Sequence, residues 1–131
     1  MTTISTDQLT GGLLFILEET FENVHGVFLD GGTSLLETLA GITAEQASIP
    51  VGGRCATIAA QVTHVCFYLD VLDHFLKTGQ NERVDWGEVW RTIAAVTPAE
   101  WAALQQRVRQ TYQRTQETIR SYQHWDAPQA I

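Results

Sequence analysis

The helical spacing of apolar residues is the feature that most restricts the fold of this chain. Between residues 14 and 42 apolar side chains recur at alternating steps of three and four, with one interruption: Leu14, Leu17, Phe21, Val24, Phe28, Leu35, Leu39 and Ile42. Such steps place side chains on one face of an α-helix. No segment shows the strict alternation of a half-buried strand. We therefore predict an all-α protein, an up-down helical bundle whose long helices pack through these faces.

Glycines and capping residues predict where the helices begin and end. Asp30, Gly31 and Gly32 interrupt the first face, because glycine loses backbone entropy in a helix. One bent helix or two short ones fit this interruption equally well. Thr43 and Gln46 have the spacing of a capping box, which predicts a further short turn.

Two more long helices follow. The second is predicted from about Arg54 or Cys55 to Leu76, with Gly79 as its stop signal. The third is predicted to begin after Thr97, with Pro98 in the first helical position. Its apolar positions form a narrow seam: Trp101, Leu104, Val108, Tyr112, Ile119 and Tyr122.

The last residues predict another helix that has barely begun. Asp126 resembles an N-cap, and Pro128 stands just inside it. A bundle of three long helices with broad apolar faces needs a fourth to cover them. We therefore expect the last helix to be missing from this chain or supplied by a partner chain, and we expect a homodimer.

Size and charge set limits on function. The 131 residues predict one helical bundle domain, residues 1–131. The net charge is −7, and residues 1–80 carry nine acids against only Arg54 and Lys77. Because an acidic surface repels phosphate backbones, we expect no nucleic-acid partner.

Hydropathy and cysteine content indicate the compartment. No stretch approaches the roughly 18 to 20 continuous apolar residues of a membrane span, so we expect a soluble chain with no membrane partner. The N-terminal residues lack a basic segment followed by an apolar one, so no secretory signal is predicted. Cys55 and Cys66 are too few for a disulfide framework, and we expect them to be reduced thiols in the cytoplasm.

His64 is the candidate site residue, because it lies on an apolar face of the second long helix. At about 100° per residue it shares that face with Gln61, Phe67, Tyr68 and Val71, and we predict that it points into the bundle. One interpretation is a core histidine that is hydrogen-bonded to Gln61 or Tyr68. The other is a ligand of zinc or nickel, for which neutral imidazole is a common donor.

The other histidines do not complete a site with His64. His74 is ten residues further on, about 15 Å along the helix axis, which is too far to share an ion. We predict that His74 pairs with Asp70 on the polar edge of the helix. Glu22 and His25 have the Glu-x-x-His spacing of di-iron bundles, but the chain has no second copy of this motif, so we interpret the spacing as chance. No catalytic residue is identified.

The order of four segments, "LAGITAEQAS", "ATIAAQVTHVCFYLDVL", "VDWGEVW" and "VTPAEWAALQQRV", resembles the DinB-like (DinB/YfiT) superfamily over residues from about 13 to the end. The resemblance implies a four-helix bundle, often dimeric, that binds zinc, nickel or another divalent ion through three histidines. It implies a metal-dependent enzyme of the thiol-dependent transferase, isomerase or hydrolase type, acting on a small molecule that the sequence does not identify.

The resemblance also assigns residues. His64 occupies the place of one metal ligand, and its face (Gln61, Phe67, Tyr68 and Val71) would line the pocket. The other two family ligands usually lie four residues apart on a last helix, which would follow Ile131, so we expect the metal site of this chain to be incomplete. The alternative is a non-catalytic dimerising module, ligand-binding or structural, in which His64 has a structural role.

Overall fold

The computed structural model of the chain describes residues 1–127, and this part of the protein is helical without strands. The all-α prediction is therefore confirmed. The helices are α1 (Thr6–Phe21), α2 (Leu35–Ala40), α3 (Ala44–Ala47), α4 (Ile58–Thr78), α5 (Glu88–Thr92) and α6 (Pro98–Ser121). A short 3-10 turn, Val51–Gly53, stands between α3 and α4.

The first apolar face divides into two helices, α1 and α2. The extension of this face through Phe28 as helix is wrong, because α1 ends at Phe21 and Phe28 is exposed in the loop that follows. The buried carboxylate of Glu19 accepts the backbone N–H groups of His25, Val27 and Phe28 at 2.7 to 2.9 Å. These hydrogen bonds satisfy amides that a continuing helix would have paired within itself.

Two predicted caps of the longest helices are confirmed, Gly79 at the end of α4 and Thr97 at the start of α6. Thr57 caps α4 by accepting the N–H of Ala60 at 3.1 Å, and Gly79 ends it with a left-handed φ of 68°. The predicted start at Arg54 or Cys55 is a few residues early, because both residues belong to the turn that follows the 3-10 helix and α4 begins only at Ile58. Thr97 caps α6 as predicted, with Pro98 in the first position.

Helices α4 and α6 run parallel, whereas α1 runs antiparallel to α6. Along the α4–α6 pair, Asp70 meets Arg114 and Asp73 meets Thr118, so residue numbers rise together. Next to α1, the ring of Phe21 stacks on Tyr112 with centroids 4.9 Å apart. The strict up-down alternation that we predicted is therefore absent from the α4–α6 pair. A parallel pair requires a connection that returns along the pair, and here residues 79–97 provide it.

The core lies between α4 and α6, with α2 and α3 at one end. The main cluster of buried residues is Leu39, Ala47, Ala59, Val62, Cys66, Trp101 and Val108. Trp101 closes it by donating its indole N–H to the carbonyl of Ile42 at 2.8 Å. A second cluster joins α1 to the pair through Phe21, Leu69 and Tyr112. The core therefore uses the face of α4 that carries Val62, Cys66 and Leu69.

Two further findings concern the chain as a whole. Among residues 1–127 no single helix combines the length and apolar composition of a membrane span, and only the pair Ala44–Gly53 and Ile58–Thr78, bent by 98°, passes that test together. The helix predicted from Asp126 and Pro128 onward lies outside the described residues.

Candidate functional site

His64 lies on a second apolar face of α4, outside the core. The prediction that it points into the bundle is wrong, because the core buries the opposite face of α4 through Cys66 and Leu69. We call the face of α4 that carries His64 its outer face. Residues 79–97, hereafter the connector, return along this outer face and cover it with the rings of Trp86 and Trp90. The outer face is apolar because it packs against this connection.

The aromatic rings of the connector surround the imidazole of His64. Its centroid lies 4.6 Å from that of Trp90 and 6.4 Å from that of Trp86. Its Nδ1 atom is buried and has no hydrogen-bond partner among the described residues. Neither Gln61 nor Tyr68 provides the predicted hydrogen bond, since both side chains are exposed. The imidazole is held by ring packing.

The residues near His64 do not form a metal site by themselves. Within residues 1–127 no three side chains of His, Cys, Asp or Glu converge closely enough to hold one ion. The neighbours of His64 are indole rings, which are not ligands of zinc or nickel. The assignment of His64 as a metal ligand stays a prediction that depends on ligands from outside this part of the chain.

A cavity opens further along α4 than His64, between the helix and the first residues of the connector, and His64 does not line it. We name it the α4 cleft. Its volume is about 220 Å³, and it is lined by Phe67, Asp70, Val71, His74, Phe75, Gln80, Asn81, Glu82, Arg83 and Val84. Apolar side chains of α4 form its floor, and the polar side chains come mainly from residues 80–83. It therefore has an apolar base and a polar rim, as ligand pockets commonly have.

A second, shallower cavity adjoins the cleft and shares Val71, Phe75 and Asn81 with it. Trp86 stands at its edge, with ring centroids 5.5 Å from both Phe67 and Tyr68. Trp86 is 43% exposed and Tyr68 is 48% exposed. Of the four residues predicted to line a pocket, Phe67, Tyr68 and Val71 lie at these two cavities, and Gln61 lies at neither.

Ion pairs across the α4–α6 interface support the floor of the cleft. Asp70 accepts hydrogen bonds from Arg107, at 3.1 Å, and from Arg114. The predicted pairing of Asp70 with His74 is therefore wrong, and the imidazole of His74 instead lies 3.4 Å from the carboxylate of Glu82. The arginines satisfy Asp70 because α6 passes directly beside it.

Asp73, one turn further along α4, is buried in the same interface. It accepts hydrogen bonds from Lys77 at 2.7 Å and from the hydroxyl of Thr118, and Nε of Arg114 lies 3.7 Å away. Burial alone would raise the pKa of Asp73, but the hydrogen bonds from Lys77 and Thr118 outweigh it and hold the pKa below its usual range. Asp73 is therefore a charged anchor between the helices.

Sequence reasoning missed this interface and the polar rim. Asp70 and Asp73 are three residues apart on α4, and Arg107 and Arg114 are seven apart on α6. These spacings place each pair on one face of its helix. These spacings predict ion pairs between α4 and α6 only once the two helices are known to be parallel neighbours.

The polar residues of α1 form a separate cluster. His25 lies 2.9 Å from Glu18 and stacks on Phe15, with centroids 4.4 Å apart. Glu22 accepts the hydroxyl of Tyr112 at 3.3 Å, so Glu22 and His25 have different partners. Burial, together with the neighbouring carboxylate, raises the pKa of Tyr112 to about 12. The di-iron spacing of Glu22 and His25 forms no shared site here.

Cys66 is a free thiol packed in the core. It is fully buried between α4 and α6, and burial raises its pKa to about 11, which disfavours the reactive thiolate. The α4 cleft, with its apolar floor, its polar rim and the adjoining aromatic rings, is therefore the candidate site. No protein-family model, no curated protein and no solved structure matches this chain.

Proposed function

We propose that the protein is a helical module that binds a small organic molecule in the α4 cleft. The observation that carries this proposal is the cavity itself, in which Phe67, Val71 and Phe75 form one apolar wall beneath a polar rim. Apolar walls provide affinity through the surface they remove from water, and a few polar groups orient the ligand.

The exposed aromatic rings support the same proposal. Trp86 and Tyr68 are each more than two-fifths exposed, although both belong to an aromatic cluster. Large aromatic side chains left partly in water beside a cavity are typical of recognition surfaces, because each gives apolar contact together with one polar group. Here they extend the contact surface of the cleft.

Calorimetric titration with benzyl alcohol tests the proposal. Val71→Phe fills the floor of the cleft, and we expect it to weaken binding at least about tenfold, because the added ring occupies the ligand's place. The matched control is Ile16→Phe, which makes a similar addition at an exposed position on α1. Equal affinity in the unaltered protein and in Val71→Phe would contradict binding in the cleft.

A second candidate is an enzyme of the DinB-like type, in a four-helix bundle that is completed from outside residues 1–127. The observation that favours it is the buried Nδ1 of His64, which lacks a hydrogen-bond partner among the described residues and keeps a lone pair or a proton for another group. A bound divalent ion would provide Lewis-acid chemistry. His64 would give one ligand, and the other ligands would come from elsewhere.

The dimer belongs to this candidate and has its own support. Phe15 and Ile16 on α1, and Tyr68 and Leu72 on α4, are large apolar side chains left exposed. Leu69, between them on α4, is buried against Tyr112 of α6 and does not belong to this surface. A second copy of the chain is the proposed cover, with the cytoplasm as the proposed compartment.

Metal analysis and light scattering separate the two candidates. The enzyme candidate requires a partner copy to supply the ligands that this chain lacks. After equilibration with trace zinc and nickel, it therefore predicts a mass of twice 14.6 kDa and about one ion per chain. His64→Ala should then lose the ion, whereas His74→Ala should keep it as the control. Metal retained by His64→Ala, or a monomer without metal, would contradict this candidate.

A further inference from the structure

The α4 cleft and its ion pairs carry a small excess of cations within an acidic protein. Asp70, Glu82 and Arg83 line the cleft, and Arg107 and Arg114 pair with Asp70, so three cations stand against two carboxylates. The whole chain carries a net charge of −7. A cavity with a local excess of cations in such a protein favours an anionic ligand.

The carboxylates at the cleft already have partners. Asp70 pairs with two arginines of α6, whose charges outweigh its own. Glu82 lies 3.4 Å from the imidazole of His74, and its side chain is 66% exposed. Asp70 is therefore neutralised within the protein, and the charge of Glu82 is directed largely to solvent.

Arg83 is the charged group of the rim that stays available. It lines the cavity, and it forms no ion pair with an acidic side chain anywhere in residues 1–127. A guanidinium group presents two parallel N–H donors, which match the two oxygens of a carboxylate. Arg83 thus offers a carboxylate-binding group at the mouth of an apolar cavity.

Resting on the proposed function, we propose that the ligand of the α4 cleft is a small organic monocarboxylate, whose carboxylate binds Arg83 and whose apolar body packs on Phe67, Val71 and Phe75. The size of the cavity limits this body. A volume of about 220 Å³ is below the roughly 300 to 1,000 Å³ of pockets for drug-sized ligands, so it suits a single ring or a short chain.

Two probes of the same shape test this inference. Benzoate carries the carboxylate, and benzyl alcohol has the same ring with a neutral group. In calorimetric titrations at low salt we expect benzoate to bind about threefold to fivefold more tightly, the effect of one solvent-exposed ion pair. Raising the ionic strength to about 0.5 M should remove this preference, because salt screens the charges.

Arg83→Gln is the matching variant, and Arg109→Gln is its control. Arg109 is exposed on α6 and does not line the cleft, so its replacement makes the same change of net charge elsewhere. We expect Arg83→Gln to bring benzoate down to the affinity of benzyl alcohol, and Arg109→Gln to keep the preference.

The outcomes separate the inference from the proposed function. If both probes bind equally well to the unaltered protein, or if Arg83→Gln keeps the preference, the carboxylate assignment is overturned and the cleft remains a binding site. If neither probe binds, the proposed function itself fails.

Discussion

The imidazole of His64 packs against the indole of Trp90, with ring centroids 4.6 Å apart and planes inclined by 31°. This contact joins α4 to the connector on the side of the helix away from the core. The histidine contributes a flat ring to this packing. Its buried Nδ1 has no hydrogen-bond partner within residues 1–127 and is unsatisfied there.

The unsatisfied atom predicts an unusual response to mutation. His64→Phe keeps a flat ring and removes the unpaired nitrogen, so we expect the free energy of unfolding to stay within about 0.5 kcal/mol or to increase. His64→Ala removes the ring contact with Trp90 and should cost about 1 kcal/mol. Urea denaturation followed by circular dichroism measures both. A loss above about 2 kcal/mol in His64→Phe would mean that the imidazole has a polar partner.

Local signals in the sequence predicted the helices well. Thr97 and Gly79 act through hydrogen bonds and backbone angles within a few residues of themselves, so their roles can be derived without the rest of the fold. The sequence could not choose between the two apolar faces of α4. Periodicity marks a face as buried, but it does not say whether α6 or the connector buries it.

The parallel direction of α4 and α6 determines where the cleft lies. This direction depends on contacts between residues that are far apart in the sequence. It sends the connector along the outer face of α4, which creates the cleft beside Val71 and places Trp86 at the edge of the adjoining cavity. Short loops favour antiparallel neighbours, but a connector of this length permits either direction. The choice depends on long-range contacts such as that of Asp73 with Thr118.

The contact of Asp73 with Thr118 should be important for stability. Asp73→Ala leaves Lys77, Arg114 and Thr118 without their shared acceptor, and we expect a loss of about 2 to 3 kcal/mol in the free energy of unfolding. Thr118→Val removes one hydrogen bond and should cost about 1 kcal/mol. Asp70→Ala, at a more exposed ion pair, is the control and should cost less than about 1 kcal/mol. Equal losses in Asp73→Ala and Asp70→Ala would refute a special role for the buried carboxylate.

Acid should weaken the fold through Asp73 and Glu19. Burial opposes the charged form of each carboxylate, but hydrogen bonds to Asp73, and backbone N–H groups bonded to Glu19, hold both pKa values below their usual range. A carboxylate whose pKa is lower in the folded state stabilises the fold above its unfolded pKa, about 3.9 for Asp and 4.3 for Glu. That stability is lost as the pH falls through the folded pKa.

Urea denaturation from pH 7 to pH 3 measures this dependence. We expect a constant free energy of unfolding down to about pH 5 and a progressive loss below about pH 4. Asp73→Asn removes one of the two groups, so its loss below pH 4 should be smaller than that of the unaltered protein. An identical pH profile in this variant would show that Asp73 does not contribute.

Glu19 should control the order of the loop that follows α1. Its Oε1 accepts the N–H groups of His25 and Val27, and its Oε2 accepts that of Phe28. Glu19→Gln replaces one of these acceptor oxygens by an N–H₂ donor and removes the charge. We expect the amides of His25, Val27 and Phe28 to exchange with solvent at least about tenfold faster, which hydrogen exchange with mass spectrometry measures.

Glu18→Gln is the matched control, because Glu18 is a neighbouring acid that contacts only the imidazole of His25 in this loop. It removes the same charge and leaves the backbone hydrogen bonds intact, so the three amides should keep their protection. Faster exchange in both variants would mean that the order of the loop depends on the total negative charge of α1 and not on the hydrogen bonds of Glu19. Faster exchange in Glu19→Gln alone would mean that a single buried carboxylate ends α1 at Phe21 and holds Val27 and Phe28 at the surface.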